Sequence, residues 1–243
     1  MSAPQFFVEG LAEGKRAVLR DEDARHALRS LRLQPGDEVM LADGAGAVAR
    51  GRLGERDGRA IVDVDEVRQV ARPVPALSVA MAPPKGDRLA WAVQKLAEVG
   101  ADEIVLMESE RAVRRWGESE RGERARRRLE VVAREAAMQS RRPFVPAVGG
   151  PSSLMQAVEA GTGGTRVVVL WEGAEAALGE LLGGVAAMIR LVVGPEGGFA
   201  AHEVDAARIA GADVASLGDG ILRTETAALA ATVVVLHRLG RLG

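Results

Sequence analysis

The chain has 243 residues, with 32 basic and 34 acidic side chains, a net charge of −2 and no cysteine. Disulfide and thiolate chemistry are excluded, and three scattered histidines (His26, His202 and His237) argue against a His/Cys metal site, so no metal is expected. No apolar run approaches the roughly 20 residues of a membrane span, and Met1-Ser2-Ala3-Pro4-Gln5 has no basic region leading into an apolar one. A cytoplasmic protein is therefore expected.

In chain order, residues 1 to about 70 read as short strands and turns. Glu38–Ala42 is strand-like and ends in Asp43-Gly44, and further runs at Ala47–Leu53 and Arg59–Val67 flank Asp57-Gly58, both hairpin signals. The spacing Gly44-x-Gly46-x-x-Ala49 fits a loose dinucleotide fingerprint but lacks the helix that must follow. Gly10–Arg16 is one residue short of a P-loop and has no Ser/Thr for Mg²⁺. The segment Asp21–Leu33 reads as a helix capped by Asp21.

Pro73 and Pro75 mark a boundary, giving expected domains 1–72 and 73–243. Beyond it, strands and helices alternate. Strands are expected at Leu77–Met81, Glu103–Met107, Arg166–Leu170, Ile189–Val193 and Val214–Leu217, with a weaker one near Phe144–Val148. Helices are expected after Asp87 up to Gly100, over Gly122–Gln139, over Ala201–Ala210, and after a Thr224 cap. Such alternation implies an α/β fold with a mostly parallel sheet covered on both faces.

Charge is segregated despite the near-neutral total. Eleven arginines stand against five acids between Arg111 and Arg142, and six basic residues against three acids between Lys15 and Arg32. The excess is of arginine, whose guanidinium suits phosphate, although Glu–Arg pairs on a solvated helix face give the same composition.

Two glycine loops follow apolar strands: Val193-Gly194-Pro195-Glu196-Gly197-Gly198-Phe199, and Ser216–Gly220 leading into Ile221-Leu222-Arg223-Thr224-Glu225-Thr226. Loops at the carboxyl ends of buried strands present unshielded backbone N–H groups, where open α/β sheets bind ligands. No nucleophile elbow or zinc-protease motif is present. What remains is a backbone-rich loop pair with Glu196, Arg223 and Glu225, a set suited to holding a small ligand and stabilising an anion.

These residues resemble the C-terminal signature of the RsmE family, SPOUT-class methyltransferases of N3 of a uridine in small-subunit (16S) ribosomal RNA. The likeness runs through the chain. His26-x-x-Arg29-x-Leu31-Arg32-Leu33 with Pro35-Gly36-Asp37 resembles the family's PUA-like domain. Lys85-Gly86-Asp87 with Gln94-Lys95-Leu96-x-Glu98-Val99-Gly100, then Ser109-Glu110-Arg111 and Gln139-Ser140-Arg141-Arg142, follow in the family's order. The resemblance implies a small N-terminal PUA-like β-barrel that binds RNA, a trefoil-knotted α/β methyltransferase domain, S-adenosylmethionine as donor, and a homodimer acting on 16S rRNA within the small subunit.

Carried over position by position, the resemblance implies cofactor contacts at Leu170, Glu172, Gly194, Pro195, Glu196, Gly197, Gly198, Leu217, Gly218, Ile221 and Leu222. Arg223 would stabilise negative charge on the uracil. Glu225 would either hold Arg223 or act through water as base, the plain alternative being that Thr224-Glu225 caps a helix. Arg29, Arg32, Lys85, Lys95, Arg111, Arg114, Arg141 and Arg142 are the candidates for RNA contact. Gly220 stands where the family usually has Arg, and Met138 where it tends to have Glu. Another rRNA or tRNA target, a non-catalytic RNA-binding assembly factor and a phosphate-ligand enzyme are the alternative readings.

Overall fold

Residues 3–12, 15–111, 120–159, 164–184 and 186–242 are described by a computed structural model of the chain. It divides into two units: residues 1–72 with 137–145, and residues 73–136 with 146–243.

In the first unit, β1 (Gln5–Phe7), β2 (Arg16–Val18), β3 (Glu38–Ala42), β4 (Ala47–Arg56) and β5 (Arg59–Gln69) form one sheet in the order β1-β3-β4-β5-β2. Alternation buries one face: Val39, Leu41, Leu53 and Val62 meet Phe6, Leu19 and Ala27 in the core. The β4–β5 hairpin closes through Asp57-Gly58, both with positive φ (51° and 73°), the geometry that matches strand twist. Asp43 Oδ1 accepts the N–H groups of Ala45 and Ala47, fixing the turn between β3 and β4. Gly46 thus leads into a strand, as rejection of the nucleotide fingerprint required.

The expected Asp21–Leu33 helix is interrupted. The first helix, α1 (Asp21–Arg25), passes into a wider π turn at His26–Ser30, where Leu31 N–H reaches the His26 carbonyl. Arg20, not Asp21, occupies the cap position, and Asp21, Glu22 and Asp23 instead place negative charge in the first turn. Ala137 is buried with Phe7, Ala42 and Val48, and Met138 is partly buried against the same apolar groups.

The second unit is built on a parallel sheet. Its strands are β6 (Ala76–Met81), β7 (Glu103–Glu108), β8 (Ala147–Ser153), β9 (Thr165–Leu170), β10 (Met188–Val193) and β11 (Asp213–Ala215), ordered β11-β9-β10-β6-β7-β8. Strands β6, β9 and β10 are nearly continuous apolar runs because both faces are covered. One face packs on α2 (Arg88–Val99), on α3 (Glu120–Gln139) through Leu129 and Ala133, and on α6 (Thr224–Arg238). The other packs on α4 (Leu154–Glu159) and α5 (Ala201–Ile209) through Val158, Val204 and Ala207.

The strand expected near Phe144–Val148 begins later, because Pro146 has no N–H to donate and the ladder starts at Ala147. Phe144 instead bridges to Gly44 and Ala45 within the first unit. Asp87 occupies the cap position of α2 without a side-chain cap bond. The cap position of α6 falls on Arg223, while the Thr224 hydroxyl donates to the Gly194 carbonyl at 3.0 Å. That bond ties the start of α6 to the end of β10.

One polar rung crosses the apolar sheet. Arg190, Ser78 and Glu103 are register partners on β10, β6 and β7. Arg190 is 8% exposed. It donates to Ser78 Oγ at 3.1 Å, to Glu103 Oε2 at 3.0 Å and to the Ala157 carbonyl of α4 at 3.1 Å, and Ser78 donates to Glu103 at 2.6 Å. Near the C-terminus, Arg241 forks onto both Asp102 oxygens at 2.8 and 3.2 Å, while Asp102 accepts the Leu77 N–H.

Removing Glu103 from the buried rung leaves the Arg190 guanidinium with neutral partners only. Glu103→Ala is expected to cost about 3 kcal/mol, the low end for a broken buried pair because Glu103 is partly exposed. Ser78→Ala is expected to cost about 1 kcal/mol. Urea unfolding of both variants measures this, and equal midpoints would show that the ion pair carries no weight.

Candidate active site

The carboxyl ends of β9, β10 and β11 are in register: Leu170 pairs with Val193 and with Ala215. Three loops therefore leave the sheet along one rim. They form a cleft with an empty volume of about 590 Å³, its open mouth included. Of the eleven expected cofactor residues, nine line it: Leu170 and Glu172 after β9, Gly194, Pro195 and Gly198 after β10, and Leu217, Gly218, Ile221 and Leu222 after β11.

Glu196 and Gly197 are not among the lining residues. The Glu196 carboxylate accepts the backbone N–H of Lys85 at 2.9 Å, and the Gly197 carbonyl accepts the Arg111 guanidinium at 3.0 Å. Partial burial pushes the Glu196 carboxyl up. The N–H groups of Lys85 and of Glu196 itself, with the charges of Lys85 and Arg88, outweigh that and hold it below the ordinary carboxylate value. These contacts fix the loop from outside while Gly194 and Gly198 face the cleft.

The backbone is bare where a ligand would approach. Gly198 has φ +66°, and a Cβ there would lie 3.0 Å from Glu172 Oε1. Gly218 has φ +107°, and no atom lies within 4 Å of the position its Cβ would take. The first glycine lets the loop close against a carboxylate; the second leaves open space lined by backbone. The cleft also exposes apolar surface: Ile221 is 91% and Leu222 40% exposed. An apolar slot with glycine backbone and one carboxylate fits a nucleoside carrying a charged tail.

Trp171, Val193, Phe199, Gly220, Thr224 and Ala227 also line the cleft without having been assigned to it. Five of them lie inside or beside the glycine motifs, and Trp171 lies between two assigned residues, so proximity to assigned positions was the available signal. Gly220 lies on the wall, and no atom lies within 4 Å of its absent Cβ.

Arg223 is exposed at the cap of α6. Glu225 is 6% exposed, and its Oε1 meets Arg88 at 3.4 Å rather than Arg223. Of the two roles expected of Glu225, a bond to Arg223 is not formed, because in the first turn of α6 the carboxylate faces the start of α2. Its Oε2 is buried without a hydrogen-bond partner among the described residues. Arg88 was missed, although it directly follows the Lys85-Gly86-Asp87 motif.

The candidate RNA-contact residues fall in both units. In the first, Arg29, Arg32 and Arg141 are exposed and Arg142 is partly buried, its carbonyl accepting Gln5. A groove of that unit is lined by Leu31, Leu33, Arg50 and Arg141. In the second, Lys85 is exposed, Lys95 is engaged by Glu98 at 2.6 Å, and Arg111 holds the glycine loop. Arg114 lies outside the described residues.

Comparison with known proteins follows this geometry. Residues 71–236 match the family described as an RNA methyltransferase domain, and residues 19–64 match an RNA methyltransferase PUA domain. The chain is 35% identical over 238 residues to ribosomal RNA small subunit methyltransferase E of Mycobacterium tuberculosis, covering 95% of this chain and 90% of that one. The crystal structure of the Neisseria gonorrhoeae protein of that name, bound to S-adenosyl methionine, superposes with a TM-score of 0.85 at 29% identity over 98% of both chains. A probable rRNA-methyltransferase from Porphyromonas gingivalis superposes with a TM-score of 0.79 at 30% identity, covering 97% of this chain and 98% of that one. With a PUA-like first unit, a SPOUT-type α/β second unit and these relatives, the chain belongs to the ribosomal RNA small subunit methyltransferase E (RsmE) family of RNA methyltransferases.

Proposed function

We propose that this protein transfers a methyl group from S-adenosylmethionine to N3 of a uridine in 16S ribosomal RNA. The observation that carries the reading is the cleft at the rim of β9, β10 and β11, with Arg223 and the buried Glu225 at the helix start beside it. When bound, S-adenosylmethionine supplies an electrophilic methyl on sulfonium sulfur, so the chain needs to align and deprotonate rather than activate.

Leu170, Leu217, Ile221 and Leu222 would hold the nucleoside, and the backbone of Gly194, Gly198 and Gly218 would surround the polar tail. Uracil N3–H is too weak an acid to attack untreated. Arg223 would stabilise the negative charge that spreads over the ring as the proton leaves, and Glu225 would receive that proton directly or through water. The N3–C bond forms as the S–C bond breaks, giving methylated uridine, S-adenosylhomocysteine and one proton. Arg223→Ala is expected to lower turnover of methyl transfer to 16S rRNA about 100-fold, as loss of an anion-stabilising donor does. Calorimetric affinity for S-adenosylhomocysteine should stay within about twofold; unchanged turnover would remove Arg223 from the mechanism.

Domain roles follow: residues 1–72 act as the RNA-binding PUA-like domain, and residues 73–243 as the catalytic domain. Arg29, Arg32, Lys85, Arg111, Arg141 and Arg142 are proposed to contact phosphate, with Arg114 the remaining candidate. Lys95 is engaged by Glu98 and contributes less. If about five phosphates are neutralised, affinity for rRNA should fall at least about tenfold between 50 and 200 mM salt. A flat salt response in filter binding would remove the basic residues from the interface, and transfer RNA in the same assay tests the rival substrate.

The working form is proposed to be a homodimer in the cytoplasm, acting on the small subunit. Trp91, on α2, is 43% exposed and Val234, on α6, 39%, and apolar groups in such positions suit a subunit interface. Among the described residues no helix is long and apolar enough to cross a membrane. Sedimentation equilibrium should give twice the mass of the chain, shifting to the chain mass in Trp91→Asp/Val234→Asp. A monomeric wild type would overturn the dimer.

A further inference from the structure

The loop from β6 into α2 reaches both carboxylates beside the cleft. Lys85 donates its backbone N–H to Glu196, and three residues later Arg88 places its guanidinium 3.4 Å from Glu225 Oε1. Arg88 is the first residue of α2, whose first turn holds no acid. A cation there opposes the helix macrodipole, so its position is accounted for by the partner it faces. That partner is among the few buried polar side chains of the unit, and Thr224, its neighbour in the chain, lines the cleft.

The two carboxylate oxygens are not equivalent. Oε1 has Arg88; Oε2 is buried and has no hydrogen-bond partner among the described residues. A buried acceptor left open is costly unless a donor arrives. We propose that Arg88 is the positioning residue of the active site: it fixes the Glu225 carboxylate through Oε1, leaving Oε2 as the acceptor for the uracil N3 proton. Arg88 need not touch RNA or cofactor for this. The inference rests on the reading of Glu225 as proton acceptor and adds the residue that makes it competent.

The test is a double-mutant cycle on methyl transfer to 16S rRNA, using Arg88→Ala, Arg88→Lys, Glu225→Gln and Arg88→Ala/Glu225→Gln. Melting midpoints and S-adenosylhomocysteine affinity are measured in parallel. Arg88→Ala is expected to lower kcat at least about tenfold with cofactor affinity within about twofold, and Arg88→Lys to restore most of it. In the Glu225→Gln background the same change should cost less than about twofold, because the group it acts on is gone. Multiplicative losses, full turnover by Arg88→Ala, or a loss of cofactor affinity at constant kcat would each overturn the role of Arg88. Were Arg88→Ala not to fold, Arg88→Gln completes the cycle. A Glu225→Gln enzyme with full turnover would instead overturn the proton-acceptor reading itself, and a wild type inert on every RNA would overturn the methyltransferase reading.

Discussion

The register of the parallel sheet is the constraint on which the rest of the second unit depends. Met81, Val193, Leu170 and Ala215 stand on neighbouring rungs of β6, β10, β9 and β11, so four strands run out at one level. Their loops must then share a rim. Backbone ladder bonds are directional and the strands are buried on both faces, so a shift of one residue would expose apolar surface and orphan N–H groups together. The cleft follows from register before any side chain in it is considered, and glycine is what the loops need once they are crowded there.

Polar groups inside this apolar frame are few among the described residues, and apart from Thr232, which donates to the Ala228 carbonyl of its own helix, they join segments distant in sequence. Arg190 joins β10 to β6, β7 and α4; Arg241 joins the C-terminal end to the segment after α2 and to the start of β6. Thr224 and Glu225 do the same beside the cleft, binding the start of α6 to the end of β10 and the start of α2. Hydrophobic contact would hold the layers together without choosing an alignment; these bonds select one. A helix start fixed from two sides is a suitable mount for Arg223, which must stay placed while exposed.

Much of this was legible in the sequence. Apolar runs located β6, β9 and β10 to within a residue, and the family resemblance, carried over position by position, named nine of the residues that line the cleft. The failures have physical causes. Strand β8 was expected near Phe144–Val148 but runs on through Gly149, Gly150 and Pro151, because it lies at the sheet edge, where a missing donor is tolerated. Thr224 looked like a cap because threonine commonly is one, but its hydroxyl found a tertiary partner instead. The Arg88–Glu225 pair joins residues 137 positions apart, a distance across which no local pattern carries information. Met138 stands where the resemblance led one to expect an acid, and the position is partly buried among apolar groups, where an ionised side chain would be costly.

Net charge, the plainest number the sequence offers, was the least informative about function. A chain at −2 looks indifferent to RNA, but its charges are not free to average. Several acids are committed within the second unit: Asp102 to Arg241, Asp213 to Arg166, Glu103 to Arg190, and Glu123 and Glu130 to Arg126. Each such contact withdraws an acid and its cation from the surface field, Arg126 serving two acids. What an approaching polyanion meets is the remainder, and on the first unit that remainder includes the exposed Arg29 and Arg32. Recognition of RNA by a mildly acidic protein is thus a matter of which charges the fold has already engaged, a quantity that composition does not contain.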